Sequence, residues 1–360
     1  MLFTFNITMK KSITFLLLII LCSCNNSKKP NNIDELFNKK NEIEHTLVEI
    51  ANDEILSDVY DLVLANDTLI VYDHDRDYFF SAIDLNNNKL IARFGKIGQG
   101  PNELLLMPQN ITILNDSIMT IFSPNQNSLY TINLKNDFIV TKDIGFDKDR
   151  LIYRLLPISA QRYISLGGFE KGRYLLLDEN GEELSYNFDY PSPKNGENLS
   201  TPMFKYMAFQ GNIRSKPEGS YFYFAGRSSE IFEIVKVDNN DKLKKVFEFN
   251  GEHAQFVPEG DGVNTTAVAI RKESKFFFIN SACTDKYIYL LYSKKIIGDN
   301  IYSSIRSNKV LVFDWNGKPI TTLILDKEVG YIAVDNENKF MMAYDKDNDQ
   351  LLKFQLDNTL

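Results

Sequence analysis

Hydrophobic positions along the body of the chain fall in short runs rich in β-branched and aromatic residues, and no long stretch has clean helical periodicity. Thr68-Leu69-Ile70-Val71-Tyr72-Asp73 and Ser117-Ile118-Met119-Thr120-Ile121-Phe122 are such runs, as are residues 162–166, 220–224, 286–291 and 339–344. Each is followed by a second run, at 78–85, 128–134, 172–177, 230–237, 309–313 and 351–356, and in the first five units by a third, at 89–94, 138–140, 184–188, 243–249 and 320–325. Between the second and third runs stand Asn86-Asn87-Asn88, Glu179-Asn180-Gly181 and Trp315-Asn316-Gly317-Lys318, residues that accept hairpin backbones. Helix is expected only near 33–40 and around 102–107.

The units begin roughly every fifty residues, a period that suits one four-stranded blade per repeat. The expected fold is all-β: a six-bladed β-propeller of four-stranded antiparallel blades. The last unit has no outer strand after Leu356, and residues 43–50 are free to supply it, closing the ring and removing an exposed sheet edge. An open array, a β-sandwich and a parallel β-helix are the alternatives, the last needing coils of about half this length. In Tyr221-Phe222-Tyr223-Phe224 successive side chains point to opposite faces, so both faces are expected to pack against neighbouring blades.

The N-terminus has a different pattern. Met9-Lys10-Lys11 precedes a brief apolar run, residues 16–21, that is shorter than the roughly 20 residues of a membrane span. The run ends in Leu21-Cys22-Ser23-Cys24, which reads as a bacterial lipobox with Cys24 as the lipidated residue. Residues 1–23 are accordingly read as a lipoprotein signal whose true start is Met9 or Met1, residues 24–42 as a polar tether, and residues 43–360 as the propeller. Loss of Cys22 and lipidation of Cys24 leave Cys283 without an intramolecular disulfide partner.

In layout the mature chain resembles the six-bladed, TolB-like propeller lipoproteins of Bacteroides and relatives. The most specific local piece is Phe94-Gly95-Lys96-Ile97-Gly98-Gln99-Gly100-Pro101-Asn102-Glu103-Leu104. The family's Gly-rich segment between its first two blades ends in Gly-Pro-Gly-Glu-Phe; Gly100, Pro101 and Glu103 match it, while Asn102 and Leu104 replace the second Gly and the Phe. Asn tolerates left-handed backbone, so the turn is expected to survive. The resemblance implies a fold and carries over no catalytic residue.

In such a blade the turns between second and third strands share a face with the linkers between blades. That face receives the long segments 95–110, 190–206, 251–267 and 293–308, so it is the expected binding face. Arg76, Glu103, Arg227 and Arg306 are its candidate ligand-binding residues, against the plainer reading of a capping glutamate and solvated arginines. Asp73-His74-Asp75-Arg76-Asp77 and Asp345-Lys346-Asp347-Asn348-Asp349 lack the glycine and glutamate of a calcium loop and read as solvated turns. His45, His74 and His253 have no metal-ligand spacing, and the Gly-rich stretch matches neither a dinucleotide nor a phosphate loop, so no metal or cofactor is expected.

The formal charge is −8, or −10 once Lys10 and Lys11 leave with the signal, and there is no basic patch to attract nucleic acid. The expected partners are the membrane, through the lipid, and an envelope protein, peptide or glycan. An outer-membrane lipoprotein facing the periplasm is expected, because Asn25-Asn26-Ser27-Lys28-Lys29 has no acidic residue. A non-enzymatic binding module fits the long loops. A hydrolase or lyase on an envelope or dietary polymer is the alternative, to be recognised by two carboxylates about 5 to 9 Å apart in a cleft.

Overall fold

The computed structural model describes residues 30–360, apart from 52–55, 101, 106–107, 116, 160, 195–198, 218, 261–264 and 358. The signal segment and Cys24 lie outside the described residues.

Six antiparallel sheets follow one another, the first five laid down in chain order from inner strand A to outer strand D. Blade 1 comprises Asp58–Ala65, Thr68–His74, Tyr78–Asp84 and Lys89–Lys96, and blade 2 comprises Gln109–Asn115, Ile118–Ser123, Ser128–Asn133 and Ile139–Gly145. Blade 3 is built from Ile152–Ser159, Arg162–Gly167, Tyr174–Asp178 and Glu183–Asn187, and blade 4 from Gly211–Ser215, Tyr221–Gly226, Ser229–Val237 and Leu243–His253. Blade 5 contains Lys275–Cys283, Tyr287–Ile296, Ser307–Asp314 and Pro319–Val329; blade 6 contains Tyr331–Val334, Phe340–Asp345 and Gln350–Gln355. The runs read from sequence are the B, C and D strands, and each inner strand lies just upstream of its unit's first run.

Six apolar clusters alternate with the blades and hold the ring together. Phe80 and Phe94 of blade 1 share a cluster with Met119 and Tyr130 of blade 2. Leu129 meets Leu175 of blade 3, and Tyr174 meets Phe222 and Phe224 of blade 4. Tyr223, pointing the other way from the same strand, packs with Leu290 and Phe313 of blade 5. Tyr289 and Val312 pack with Met341 of blade 6, whose Met342 and Tyr344 close the circle on Leu69 and Val71. Each such side chain withdrawn from water contributes roughly 1.5–3 kcal/mol, so strand alternation is what lets a thin blade serve two clusters.

The N-terminal segment closes the ring. His45–Val48 pairs antiparallel with Gln350–Gln355, setting His45 opposite Phe354 and Val48 opposite Leu351, and becomes the D strand of blade 6. Just before it, Lys40–Ile43 runs parallel to Pro319–Val329 as a fifth strand of blade 5, so one extended segment staples two blades. The structured region also begins earlier than the sequence boundary at 43. A 3-10 turn, Ile33–Leu36, buries Ile33, and Phe37 packs edge-on against Phe313 at 4.8 Å. Ile33 N donates to Glu230 Oε1 at 3.1 Å, and Lys309 Nζ donates to Asp34 at 3.3 Å. The second half of the expected tether is thus part of the fold.

Helix is sparse: the expected segment near 33–40 supplies the single 3-10 turn Ile33–Leu36, and the α-helices sit elsewhere. Pro202–Ala208 forms an α-helix in the linker between blades 3 and 4, started by Pro202 at its first turn and by Thr201, whose hydroxyl accepts from Phe204 N at 3.2 Å. Ile301–Ser304 forms a single turn in the blade 5 insertion. No helix forms over described residues 102–105. The linker after blade 4 carries its own hairpin, Phe256–Gly260 with Thr265–Ile270.

Candidate functional site

Chain direction puts the B–C turns and interblade linkers on one face, which also carries the linker helix, the extra hairpin and the blade 5 insertion. All four sequence-derived candidates lie there, and no contact joins them among the described residues. Arg76 is exposed at the tip of the blade 1 turn. Arg306 is held within its own region: its Nε donates to Tyr302 O at 3.2 Å and its guanidinium pairs with Asp347 of blade 6, tying the insertion to the neighbouring turn.

Glu103 folds back on the Gly-rich linker. Its Oε2 accepts from Gly100 N at 2.8 Å and its Oε1 from Lys96 Nζ at 2.8 Å; these bonds hold its carboxyl below the ordinary glutamate value. A Cβ on Gly98 would overlap the Glu103 carboxylate, which is the physical reason for glycine there. Asn102 takes the left-handed backbone, at φ +62°, that its match to the family turn requires. Glu103 therefore clamps a turn, and no helix is there for it to cap.

Arg227 lies at the mouth of the central channel. The residue is exposed, and its guanidinium sits 4.6 Å over the Phe276 ring of blade 5. Protein atoms crowding the mouth, and then the charge of Arg154, lower its pKa. Burial, then Asp61, push the Tyr331 phenol up to about 12 while Arg227 pulls against them.

Deeper in the channel lie residues that the sequence reading missed. Asp61 of blade 1 accepts from Arg214 of blade 4 at 2.8 Å and from Asn280 of blade 5 at 3.0 Å. Asn280 Oδ1 accepts from Ile332 N of blade 6 at 2.9 Å, and Arg214 also donates to Ile111 O of blade 2 at 3.3 Å. This tie crosses the axis. Above it, Arg154 of blade 3 donates to the Gln109 side chain of blade 2, and Tyr153 stacks on Tyr206 of the linker helix at 4.8 Å. The signal for these residues was a polar side chain within an otherwise apolar inner strand, as in Asp58–Ala65 and Ile152–Ser159.

The acidic turns have separate duties. Asp345 accepts from Asp347 N at 2.9 Å and from Asn348 Nδ2 at 2.7 Å, Asp347 pairs with Arg306, and Asp349 accepts from Tyr344 OH at 2.9 Å. Asp73 and Asp345 are buried rather than solvated. Burial pushes the Asp73 carboxyl up to about 6, against the pull of Ser81 and Arg93. Among the described residues no three potential ligands gather to hold a metal ion.

The TolB-like 6-blade propeller-like family matches residues 36–337, most of the chain. The chain belongs to that family. No curated protein matches the sequence. Among solved structures, this TolB-like propeller is similar to a protein of Bacteroides fragilis described as exported, at 11% identity and TM-score 0.53 over 91% of this chain and 96% of that one. It is also similar to a DUF4221 family member from Bacteroides vulgatus, at 11% identity and TM-score 0.55 over 88% of this chain and 98% of that one. At such identities the likeness shows the fold alone.

Proposed function

We propose that this TolB-like propeller is an envelope lipoprotein of Bacteroides-type bacteria, anchored through lipid on Cys24 at the periplasmic side of the outer membrane. In this reading it is a non-enzymatic module whose long-loop face binds a glycan, peptide or protein partner. The observation that carries it is the presence of the linker helix, the extra hairpin and the blade 5 insertion on one face, on rigid strand ends that lower the ordering cost of binding. Leu21-Cys22-Ser23-Cys24 supports the anchor. The hydrolase or lyase reading needs a carboxylate pair; Asp61, the carboxylate lining the cavity above the axial tie among the described residues, is engaged by Arg214 and Asn280.

Two measurements test it. Mass spectrometry of the membrane-extracted N-terminal peptide should find a diacylglyceryl group on Cys24, and an unmodified soluble N-terminus would refute the anchor. Pulldown from solubilised envelope, beside glycan and peptide arrays, should recover a ligand that a variant carrying Arg76→Ala, Arg227→Ala and Arg306→Ala loses at unchanged melting temperature. Full retention of that ligand would remove these arginines from the site.

A further inference from the structure

The blade 5 insertion leaves apolar surface uncovered. Among the described residues nine large apolar side chains are exposed, and three of them, Ile296, Ile301 and Tyr302, fall within seven residues, at 59%, 43% and 61%. The other six are scattered through blades 1 to 3 and the closing strand. The tip also stands clear of the ring: a Cβ built on Gly298, at φ +62°, would meet nothing within 4 Å, and the neighbouring Asp299 side chain is almost fully exposed. Single exposed apolar side chains are ordinary, whereas a group of them on a projecting loop marks a contact surface.

The charges around this tip are already matched. Lys272 Nζ bonds Asp299 at 2.8 Å, Lys295 pairs with Glu328, and Arg306 pairs with Asp347. Lys294 and Lys309 both stand by Asp34, at 3.8 and 3.3 Å. The tip therefore offers apolar surface rather than net charge, and suits an occupant that needs no counter-ion.

Asp34 also fixes where the N-terminal segment enters the ring. Lys294 lies late in Tyr287–Ile296, Lys309 early in Ser307–Asp314, and Glu230, which accepts from Ile33 N, early in Ser229–Val237, so all three are at the long-loop ends of their strands. Phe37 already lies towards the far end, against Phe313. The segment thus enters beside the base of the insertion. Cys24 stands nine residues before Ile33, a stretch that spans at most about 32 Å fully extended and about 17 Å on average as a flexible chain. Tyr287–Ile296, with ten residues, is itself about 33 Å long. A lipid on Cys24 therefore holds the long-loop end of blade 5 near the bilayer, with the opposite face a strand length further off.

We infer that the insertion tip is a membrane-contact site, with Ile296 and Ile301 entering the boundary between headgroups and acyl chains of the bilayer that holds Cys24. The inference rests on the proposed lipid anchor and adds an orientation: the long-loop face is turned towards the lipid, and its partner meets it at the membrane surface. Tyr302, 5.8 Å from Lys346 Nζ of blade 6, lies on the blade 6 side at headgroup level, where an aromatic ring with a polar end is favoured and a partner can also reach it.

The test uses the full chain, extracted from membranes and reconstituted in vesicles of phosphatidylethanolamine with a minor share of phosphatidylglycerol and a nitroxide-labelled lipid. An environment-sensitive fluorescent amino acid is encoded at Ile301 and, in a second protein, at Asn136 of the opposite face. The Ile301 probe should lose about half or more of its emission to the nitroxide, because interfacial apolar side chains enter by roughly 5–10 Å. The Asn136 probe should lose none. Quenching should persist as salt is raised, since the nearby charges are paired. Adding Ile296→Asp to the Ile301-labelled chain should abolish it at unchanged melting temperature, and Ile296→Leu should retain it. Flotation of the same samples reads the anchor separately. A chain that floats with its Ile301 probe no more quenched than the Asn136 probe overturns the contact and leaves the anchor standing; a chain that stays in solution overturns both. An Ile301 probe that lipid leaves unchanged but solubilised envelope protein shifts would give the tip to a protein partner and overturn the membrane assignment.

Discussion

Replacing Glu233 with Gln probes the ion cluster that joins blades 3 and 4. Glu233 and Arg173 are each only 1% exposed. Glu233 Oε2 accepts from Arg173 at 3.0 Å and from Tyr174 OH at 2.6 Å, and Oε1 accepts from Lys245 Nζ at 2.8 Å. The Arg173 guanidinium lies 3.9 Å over Phe224, and its Nε and remaining terminal nitrogen have no hydrogen-bond partner, so it depends on Glu233 for its counter-charge. Lys245 does not; it is partly exposed and also bonds Glu248. Breaking a buried pair by removing one charge costs about 3–5 kcal/mol. With an unfolding entropy near 2.1 cal/mol/K per residue over about 330 residues, that loss lowers Tm by roughly 4–7 °C. Glu248→Gln, which removes a half-exposed partner, should cost about 1 kcal/mol or less and shift Tm by under about 2 °C. Burial pushes the Glu233 carboxyl up, but Arg173 and Lys245 outweigh it and hold the pKa below the ordinary value. Its contribution is therefore present above the unfolded glutamate pKa and lost as pH falls through the depressed folded value, so parent and variant should converge in strong acid. Thermal melts of the three proteins at neutral and acidic pH check this. A Glu233→Gln shift as small as that of Glu248→Gln at neutral pH would refute the argument.

Deleting residues 32–48 from the full chain removes the closing strand and the burial of Ile33, Phe37, Ile43 and Val48, roughly 6–12 kcal/mol. That is comparable to the whole stability of a domain, so the deletion should melt far below the parent or aggregate, while deleting 32–39 alone should cost about half as much; equal melting of all three would exclude closure by this strap. Asp73 has its folded pKa raised to about 6, so its favourable contribution is full below about pH 4 and lost as pH rises through 6. Asp73→Asn should therefore gain Tm relative to the parent between pH 5 and pH 8, and a pH-independent difference would show that Asp73 is not desolvated. Gly98→Ala should destabilise the Gly-rich turn, and Glu103→Ala in the same chain should relieve the overlap, as read by hydrogen exchange at Leu104 N, which bonds Lys96 O at 2.8 Å.

Much of this architecture was legible because an interblade cluster needs apolar side chains on both faces of a strand, and runs such as Tyr221–Gly226 and Tyr287–Ile296 supply them. The inner strands were harder to see. Pro157 interrupts Ile152–Ser159, where the register also shifts, and Asp61 interrupts Asp58–Ala65, since channel-facing positions are polar without regular alternation. Lys40–Ile43 is a mostly exposed edge strand whose pairing is decided by the ring it closes rather than by its own residues. The linker helix had a local signal in Thr201-Pro202, but seven residues are too few for a hydrophobic period to show. Of the candidate residues, turn position placed Arg227, whereas Arg154 and the Asp61–Arg214 tie are brought together only by the closed ring. Glu103 and Arg306 illustrate the opposite limit: their loops were legible, and the contacts that occupy them were not.

The central claim is that partners meet the long-loop face. Photo-crosslinking in intact cells tests it most directly, with a photoreactive amino acid placed singly at exposed Arg76, Lys171 and Tyr302 on that face and at exposed Asn66, Asn136 and Asn240 on the opposite one. The account predicts a discrete crosslinked species from the first set and none from the second. Crosslinks confined to Asn66, Asn136 and Asn240 would contradict it.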